Sequence, residues 1–306
     1  MKTHKFLTLA ASAALITSAS ASVTMEWVTV GHANNAADPA DGDSATAGVQ
    51  NFGSVGYVYQ IGKYEVTYAQ YGAFLNAAAK TDSYGLYTAS MATGGFITRS
   101  GTSGNYTYSV TGGLENRPVT FLTWFDAARM ANWMHNGQGS GSTETGAYTL
   151  NGAMSGIISR NAGAQIYLPS EDEWYKAAYY NGSTSTYSLY PNGQNTITTA
   201  DANYNNSVGA TTDVGSYTGV TSYYGTFDQG GNAWEHTEGV SGTKRASRGG
   251  AINSLDISLA SSYRDYVMET TYSNGRMGLR LASVPEPSSL VLTALFGAGL
   301  VCRRKR

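Results

Sequence analysis

The side chains able to bind or react are few and widely spread. Asp228 and Glu235 flank Gln229-Gly230-Gly231-Asn232-Ala233-Trp234, and carboxylates around a glycine-rich turn are the hard oxygen donors that calcium takes. The same residues also suit a plain tight turn that ends in a surface acid. Asp201-Ala202-Asn203-Tyr204-Asn205-Asn206-Ser207 alternates oxygen-bearing side chains too. However, Asn206 stands where an EF-hand loop needs glycine, and Thr212 where it needs its terminal glutamate. The segment is therefore no EF-hand, and an Asn-rich turn explains it equally well. Glu171, Asp172 and Glu173 form a carboxylate cluster that a helix N-terminus accounts for. His32, His135 and His236 lack the helix-turn spacing of paired metal ligands and read as neutral, hydrogen-bonded or exposed. There is no Gly-x-Ser-x-Gly elbow and no Ser-His-Asp pattern, so no residue is expected to be catalytic.

Three short helices must position these groups. Thr67-Tyr68-Ala69-Gln70 is a capping box, and Tyr71, Phe74, Leu75 and Ala78 follow at helical spacing, which predicts a helix near 67–79. Thr123 caps a second near 123–136, with Trp124, Ala127, Ala131 and Met134 along one side and Asn136-Gly137 as its stop. Ser170 to Glu173 is a further capping box and predicts a helix near 170–180 with Trp174, Ala177 and Ala178 as its buried face, ended by Asn181-Gly182. Short strands are expected at Tyr57–Ile61, Gln165–Leu168 and Gly278–Ala282. The Gly-, Ser-, Thr- and Tyr-rich stretch 81–115 reads as a surface excursion, with a hairpin at Tyr106–Val110. Gly137, Gly139 and Gly141 follow a helix rather than a strand, which argues against a phosphate-binding loop.

The two ends have patterns of their own. Residues 1–21 combine Lys2 and Lys5, an apolar run from Phe6 to Ile16 and a closing Ala19-Ser20-Ala21, the build of a cleaved signal peptide. Residues 285–306 open on Pro285-Glu286-Pro287, continue through an almost wholly apolar Leu290–Cys302 and end on Arg303-Arg304-Lys305-Arg306. The apolar run is short for a bilayer span, which takes about 20 residues. Its order of parts nevertheless resembles the PEP-CTERM sorting signal of Gram-negative bacteria. That resemblance implies a membrane-held tag handled by exosortase-type sorting machinery, with the basic end on the cytoplasmic side. The chain is then exported, anchored transiently at the inner membrane and passed to the cell surface or extracellular matrix. The body, 22–284, is long enough for one large domain and shows no linker. A net charge of -2 and 13% charged residues give no basic face, so nucleic acid is not an expected partner.

Along the body the landmarks are Ile61-Gly62-Lys63-Tyr64-Glu65-Val66-Thr67, Arg117-Pro118-Val119 with Thr123–Ala127, and Leu168–Trp174. They continue with Gly230–Glu235, Arg248-Gly249-Gly250 and Gly278–Ala282. This ordered set resembles the formylglycine-generating enzyme family, also called the sulfatase-modifying factor family. The resemblance implies an irregular α+β fold of the C-type-lectin-like kind, low in regular secondary structure, with calcium pinning its loops. It also implies one calcium site at Asp228, Gly231, Ala233 and Glu235. A second would draw on Asn203 and Tyr204, where the neighbouring acidic segment is shortened here.

The family's oxidase needs two cysteines beyond Arg248-Gly249-Gly250, whose thiolates hold copper(I). Here Ala251–Leu259 contains none, and the one cysteine of the whole chain, Cys302, lies in the tail. Serine hydroxyls are hard, weakly acidic donors and cannot replace that thiolate pair, so no copper is expected. The sequence therefore points to a non-catalytic binding or structural module of the envelope or matrix. Its aromatic-rich loops suit a polysaccharide or an envelope protein. The alternative is an enzyme, of formylglycine-generating or other type, with a changed mechanism.

Overall fold

The computed structural model describes residues 22–40, 51–264 and 268–285. In chain order these form strands β1 (Trp27–Val30) and β2 (Tyr59–Gly62), helices α1 (Tyr68–Ala78) and α2 (Ala89–Thr93), and strands β3 (Ile97–Ser100) and β4 (Thr107–Val110). Helix α3 (Trp124–His135), strand β5 (Ile166–Tyr167), helix α4 (Glu171–Tyr179) and strands β6 (Tyr180–Asn181) and β7 (Thr186–Tyr187) follow. The chain continues through β8 (Trp234–Ser241), β9 (Lys244–Arg248), a single 3-10 turn at Asp256–Leu259, β10 (Met277–Leu279) and β11 (Ala282–Ser283). Few helices and many short strands make this a mixed α+β fold of the expected irregular kind.

All three expected helix caps form, each as a capping box. Thr67, Thr123 and Ser170 each accept from the third backbone N–H of their helix, and Gln70, Asp126 and Glu173 reach back to the cap N–H. The sequence had marked the Thr123 cap but not its partner Asp126. Helix α3 departs from the one-sided reading, because every residue from Trp124 to Met134 is buried. Such a helix needs partners for its polar members. Arg129 forks onto Glu144 and donates to the Ala153 carbonyl, while Asn132 bonds the carbonyls of Thr143 and Tyr148. In α4 the carboxylate cluster divides its work. Glu173 completes the cap, but Glu171 is a buried acid paired with Arg248 at 2.9 Å and with Arg264. Helix α4 also passes directly into β6, so Asn181-Gly182 lies beyond its end rather than stopping it.

The 81–115 stretch is more than a surface excursion. It contains α2 as well as the β3–β4 hairpin, and Leu86, Met91, Ile97 and Tyr108 join the main core. What ties it down is Asn76 of α1, whose side-chain amide pairs with both the N–H and the carbonyl of Tyr108 as a neighbouring strand would.

One sheet runs β1-β2-β11-β5 and another β10-β8-β9, with β10 parallel to β8. The Gly278–Ala282 segment, expected as one strand, is divided between them. Leu279 ends β10, Ala282 begins β11, and Arg280 stands at the crossing. The main core packs α1, α3 and the inner faces of the four-stranded sheet, and α4 brings Trp174, Tyr175, Ala178 and Tyr179 to a second cluster. Among the described residues no helix is long and apolar enough to cross a membrane. The expected signal peptide and the apolar tail lie outside the described residues.

Candidate functional site

Strand β8 starts where the Asp228–Glu235 turn ends, and it delivers Glu235 into the interior. Glu235 is fully buried, with Arg280 donating Nη2 to Oε1 at 2.7 Å and Nε to Oε2 at 2.9 Å. The Trp174 indole N–H donates to Oε2 at 2.6 Å. Arg280 also donates to the carbonyls of Gly62 and Phe227, so one guanidinium joins β2, the 227 turn and β8.

A second carboxylate, missed by the sequence reading as a functional group, lies beside it. Glu65 is buried and accepts from Asn232 Nδ2 at 2.9 Å and from Ala233 N at 3.1 Å. Its pKa is raised well above the ordinary range, by burial first and then by the negative charges of Asp228 and Glu235. Asp228, in a left-handed turn conformation at φ 58, accepts from Gly215 N at 2.6 Å, and burial raises its pKa to about 6. Three carboxylates thus surround a single guanidinium. The signal that could have found Glu65 and Arg280 was their charge inside apolar landmark segments, where an ionised side chain needs a partner.

Asn232 is the hinge of this centre. Its Oδ1 accepts from Thr212 N, its Nδ2 serves Glu65, and its N–H reaches the Asn203 carbonyl at 2.9 Å. That last approach needs Gly231. At φ 86 its position is one L side chains rarely adopt, and a Cβ there would collide with the Asn203 carbonyl. Asn203 is itself buried and donates Nδ2 to the Ala210 carbonyl, yet its Oδ1 has no hydrogen-bond partner among the described residues.

Calcium fits these two sets differently. Three N–H donors already engage Glu235, with Arg280 Nε shared between its two oxygens, and the guanidinium at 2.7 Å supplies its positive charge. In this geometry Glu235 is committed to Arg280 and Trp174, so a cation at the set Asp228, Gly231, Ala233 and Glu235 would have to compete with the guanidinium. Asn203 Oδ1 does fit, since a buried amide oxygen without a donor is one a hard cation would satisfy. Tyr204 is buried beside it, with its carbonyl accepting from Ser207 N at 3.0 Å. Among the described residues no three His, Cys, Asp or Glu side chains gather as a metal cluster. An ion here would rely on amide and carbonyl oxygens.

The segment after Arg248-Gly249-Gly250 is held by backbone. Asn205 N donates to the Ser254 carbonyl at 2.8 Å, Asn206 N to the Ile252 carbonyl at 2.6 Å, and Ala251 N to Ser254 Oγ at 2.9 Å. Leu259 is fully buried, while Leu255 and Ile257 are 60% and 54% exposed. No group in this segment is a strong nucleophile or a soft metal ligand. The histidines stay apart. His236 is buried with Nε2 on the Leu122 carbonyl, and burial lowers its pKa to about 4. His32 meets Tyr224 Oη, and His135 Nδ1 accepts from Gln165 N.

Residues 19–284 match the model of the sulfatase-modifying factor enzyme 1-like domain. No curated protein sequence matches the chain. Among solved structures, variable protein 1 of Treponema denticola superposes with a TM-score of 0.59 at 19% identity, covering 87% of this chain and 98% of the other. CarF gives 0.54 at 20% identity over 86% and 99%, and PvdO from Pseudomonas aeruginosa 0.53 at 16% over 85% and 94%. At such identities these likenesses concern the fold alone. The family match spans most of the chain, and with the landmark residues placed as described, the chain belongs to the sulfatase-modifying factor enzyme 1-like family.

Proposed function

We propose that this protein is an exported, membrane-anchored or cell-surface member of the family that has left its oxidase chemistry and acts as a binding or structural module of the envelope or matrix. One observation carries the reading. The segment that would hold the copper thiolates, Ala251–Leu259, has no thiol, and instead buries Leu259 and exposes Leu255 and Ile257. Export, transient anchoring at the inner membrane and handling by exosortase-type machinery rest on the two terminal sequence patterns. A polysaccharide or an envelope protein is the proposed partner, because the chain is rich in aromatic and poor in basic side chains and leaves Tyr57, Tyr223 and Tyr272 exposed. Calcium belongs to the proposal as a structural ion, held through Asn203 Oδ1 with Tyr204 beside it. At Asp228, Gly231, Ala233 and Glu235 it would first have to displace Arg280 from Glu235.

The test is metal content and oxygen uptake of the purified protein offered a cysteine-containing peptide. The expected result is no copper and no oxygen consumption; stoichiometric copper or iron with peptide-dependent uptake would overturn the reading in favour of an enzyme with a changed mechanism. Calcium is checked separately by thermal unfolding with and without chelator. The expected drop on chelation should be absent in Asn203→Ala, and a chelator that leaves the wild-type midpoint unchanged rules the ion out.

A further inference from the structure

Away from the Arg280 centre, an open cleft of about 200 Å³ lies between the β6–β7 hairpin with its following loop and the turn Ser222–Thr226. Both walls are tied by their own hydrogen bonds. Ser222 N donates to the Thr226 carbonyl and Gly225 N to the Ser222 carbonyl, which places Tyr223 and Tyr224 at the tip of a closed turn. Opposite, Tyr190 N reaches the Gln194 carbonyl, and Asn192 fastens the loop through Gln194 N and the Thr196 carbonyl.

The groups not spent on this scaffold are the informative ones. Tyr223 is 45% exposed, yet its ring is held by edge-on contact with Tyr224 at 5.0 Å and by His32 at 5.9 Å. The Gln194 side-chain amide makes no hydrogen bond among the described residues. Asn181 is held through Oδ1 by Ser183, which leaves its NH2 available. A pre-set aromatic face beside amide donors and acceptors matches a sugar ring, which has an apolar face and a polar edge. No lysine or arginine lines this cleft or the pocket that continues it past Asn192, Thr221 and Ser222. That continuation carries the carboxylate of Asp201 and no basic side chain, so nothing in the lining would pair with an anionic polymer.

From this we infer that the cleft between Gln194 and Tyr223 is a binding site for a neutral polysaccharide, with Tyr223 as its stacking platform. The inference rests on the binding-module reading and specifies its ligand class. The test is affinity gel electrophoresis of the full chain in nonionic detergent through gels containing dextran, galactomannan, mixed-linkage β-glucan or anionic alginate. At least one neutral polymer should retard the wild type and alginate should not. Tyr223→Ala should weaken retardation by about fivefold to tenfold, Gln194→Ala less, and Tyr223→Trp should restore it, all with unchanged thermal midpoints because both side chains are exposed.

No retardation by any neutral polymer overturns the inference, as does stronger retardation by alginate. Retardation that Tyr223→Ala and Gln194→Ala leave intact also overturns it, while the binding-module reading stands. Peptide-dependent oxygen uptake overturns that reading, whatever the gels show.

Discussion

Two parts of the molecule use the same kinds of residue in opposite ways. Around Arg280, polar side chains are buried and matched nearly one for one: Glu235 to Arg280 and Trp174, Glu65 to Asn232 and Ala233. Around Tyr223 and along Ala251–Leu259, hydrogen bonds mostly close local turns, and Tyr223, Gln194, Leu255 and Ile257 are left to solvent. The first arrangement fixes where loops cross, since an unmatched buried charge is costly. The second leaves surface free to meet another molecule. Low regular secondary structure thus does not mean low order. This chain moves the work of ladders onto side-chain networks and keeps its loops in register that way.

The sharpest way to break the contrast is Arg280→Met. It leaves Glu235, Asp228 and Glu65 together without their cation, at a cost of about 3–5 kcal/mol. For a domain of this size that is a fall in thermal midpoint of roughly 10 °C or more. A change under a few degrees would show the centre to be dispensable.

His236→Gln tests the same interior by pH. The folded pKa of about 4 lies below the ordinary 6.5, so the unfolded chain binds the extra proton first. The neutral buried imidazole therefore contributes stability that is present above pH 6.5 and lost as pH falls towards 4, about 3 kcal/mol in all. Glu238 and Asp228, raised to about 7 and about 6, slope the other way, gaining stability on protonation. The comparison is therefore variant against wild type, in urea unfolding at pH 7 and pH 4. The wild type should lose more on acidification, and equal losses would show that His236 does not titrate in this window.

Ser170→Ala removes the α4 cap, at about 1 kcal/mol, and should appear as a small shift in urea midpoint. Leu255→Ala and Ile257→Ala should change stability by no more than about 0.5 kcal/mol. A larger loss at either would mean that the exposed segment is part of the core.

The capping boxes were legible because they are local: Thr67 with Gln70 and Ser170 with Glu173 sit three residues apart. The family landmarks were legible because they recur in order, and they carried the fold class with them. The two-sheet split at Arg280 was not, since Gly278–Ala282 has the pattern of a single strand and nothing nearby announces that its arginine turns inward. Nor was the burial of α3 on all sides, because Arg129 and Asn132 look like a solvent face until Glu144 and the Tyr148 carbonyl supply their partners. The candidate calcium residues were named from the landmarks and from the oxygen donors around them. The structure distinguishes them, with Glu235 taken by Arg280 and Asn203 Oδ1 left open.

By itself the sequence determined the family, the three helix starts and the lack of a thiol pair, because each depends on residue identity and short spacing. Only the tertiary structure decided which charges neutralise one another, which amide oxygen lacks a donor and which tyrosine stands outward over a polar cleft. Those depend on distances between segments far apart in the chain, Glu65 from Asn232 and Gln194 from Tyr223, and short-range pattern carries no record of such distances.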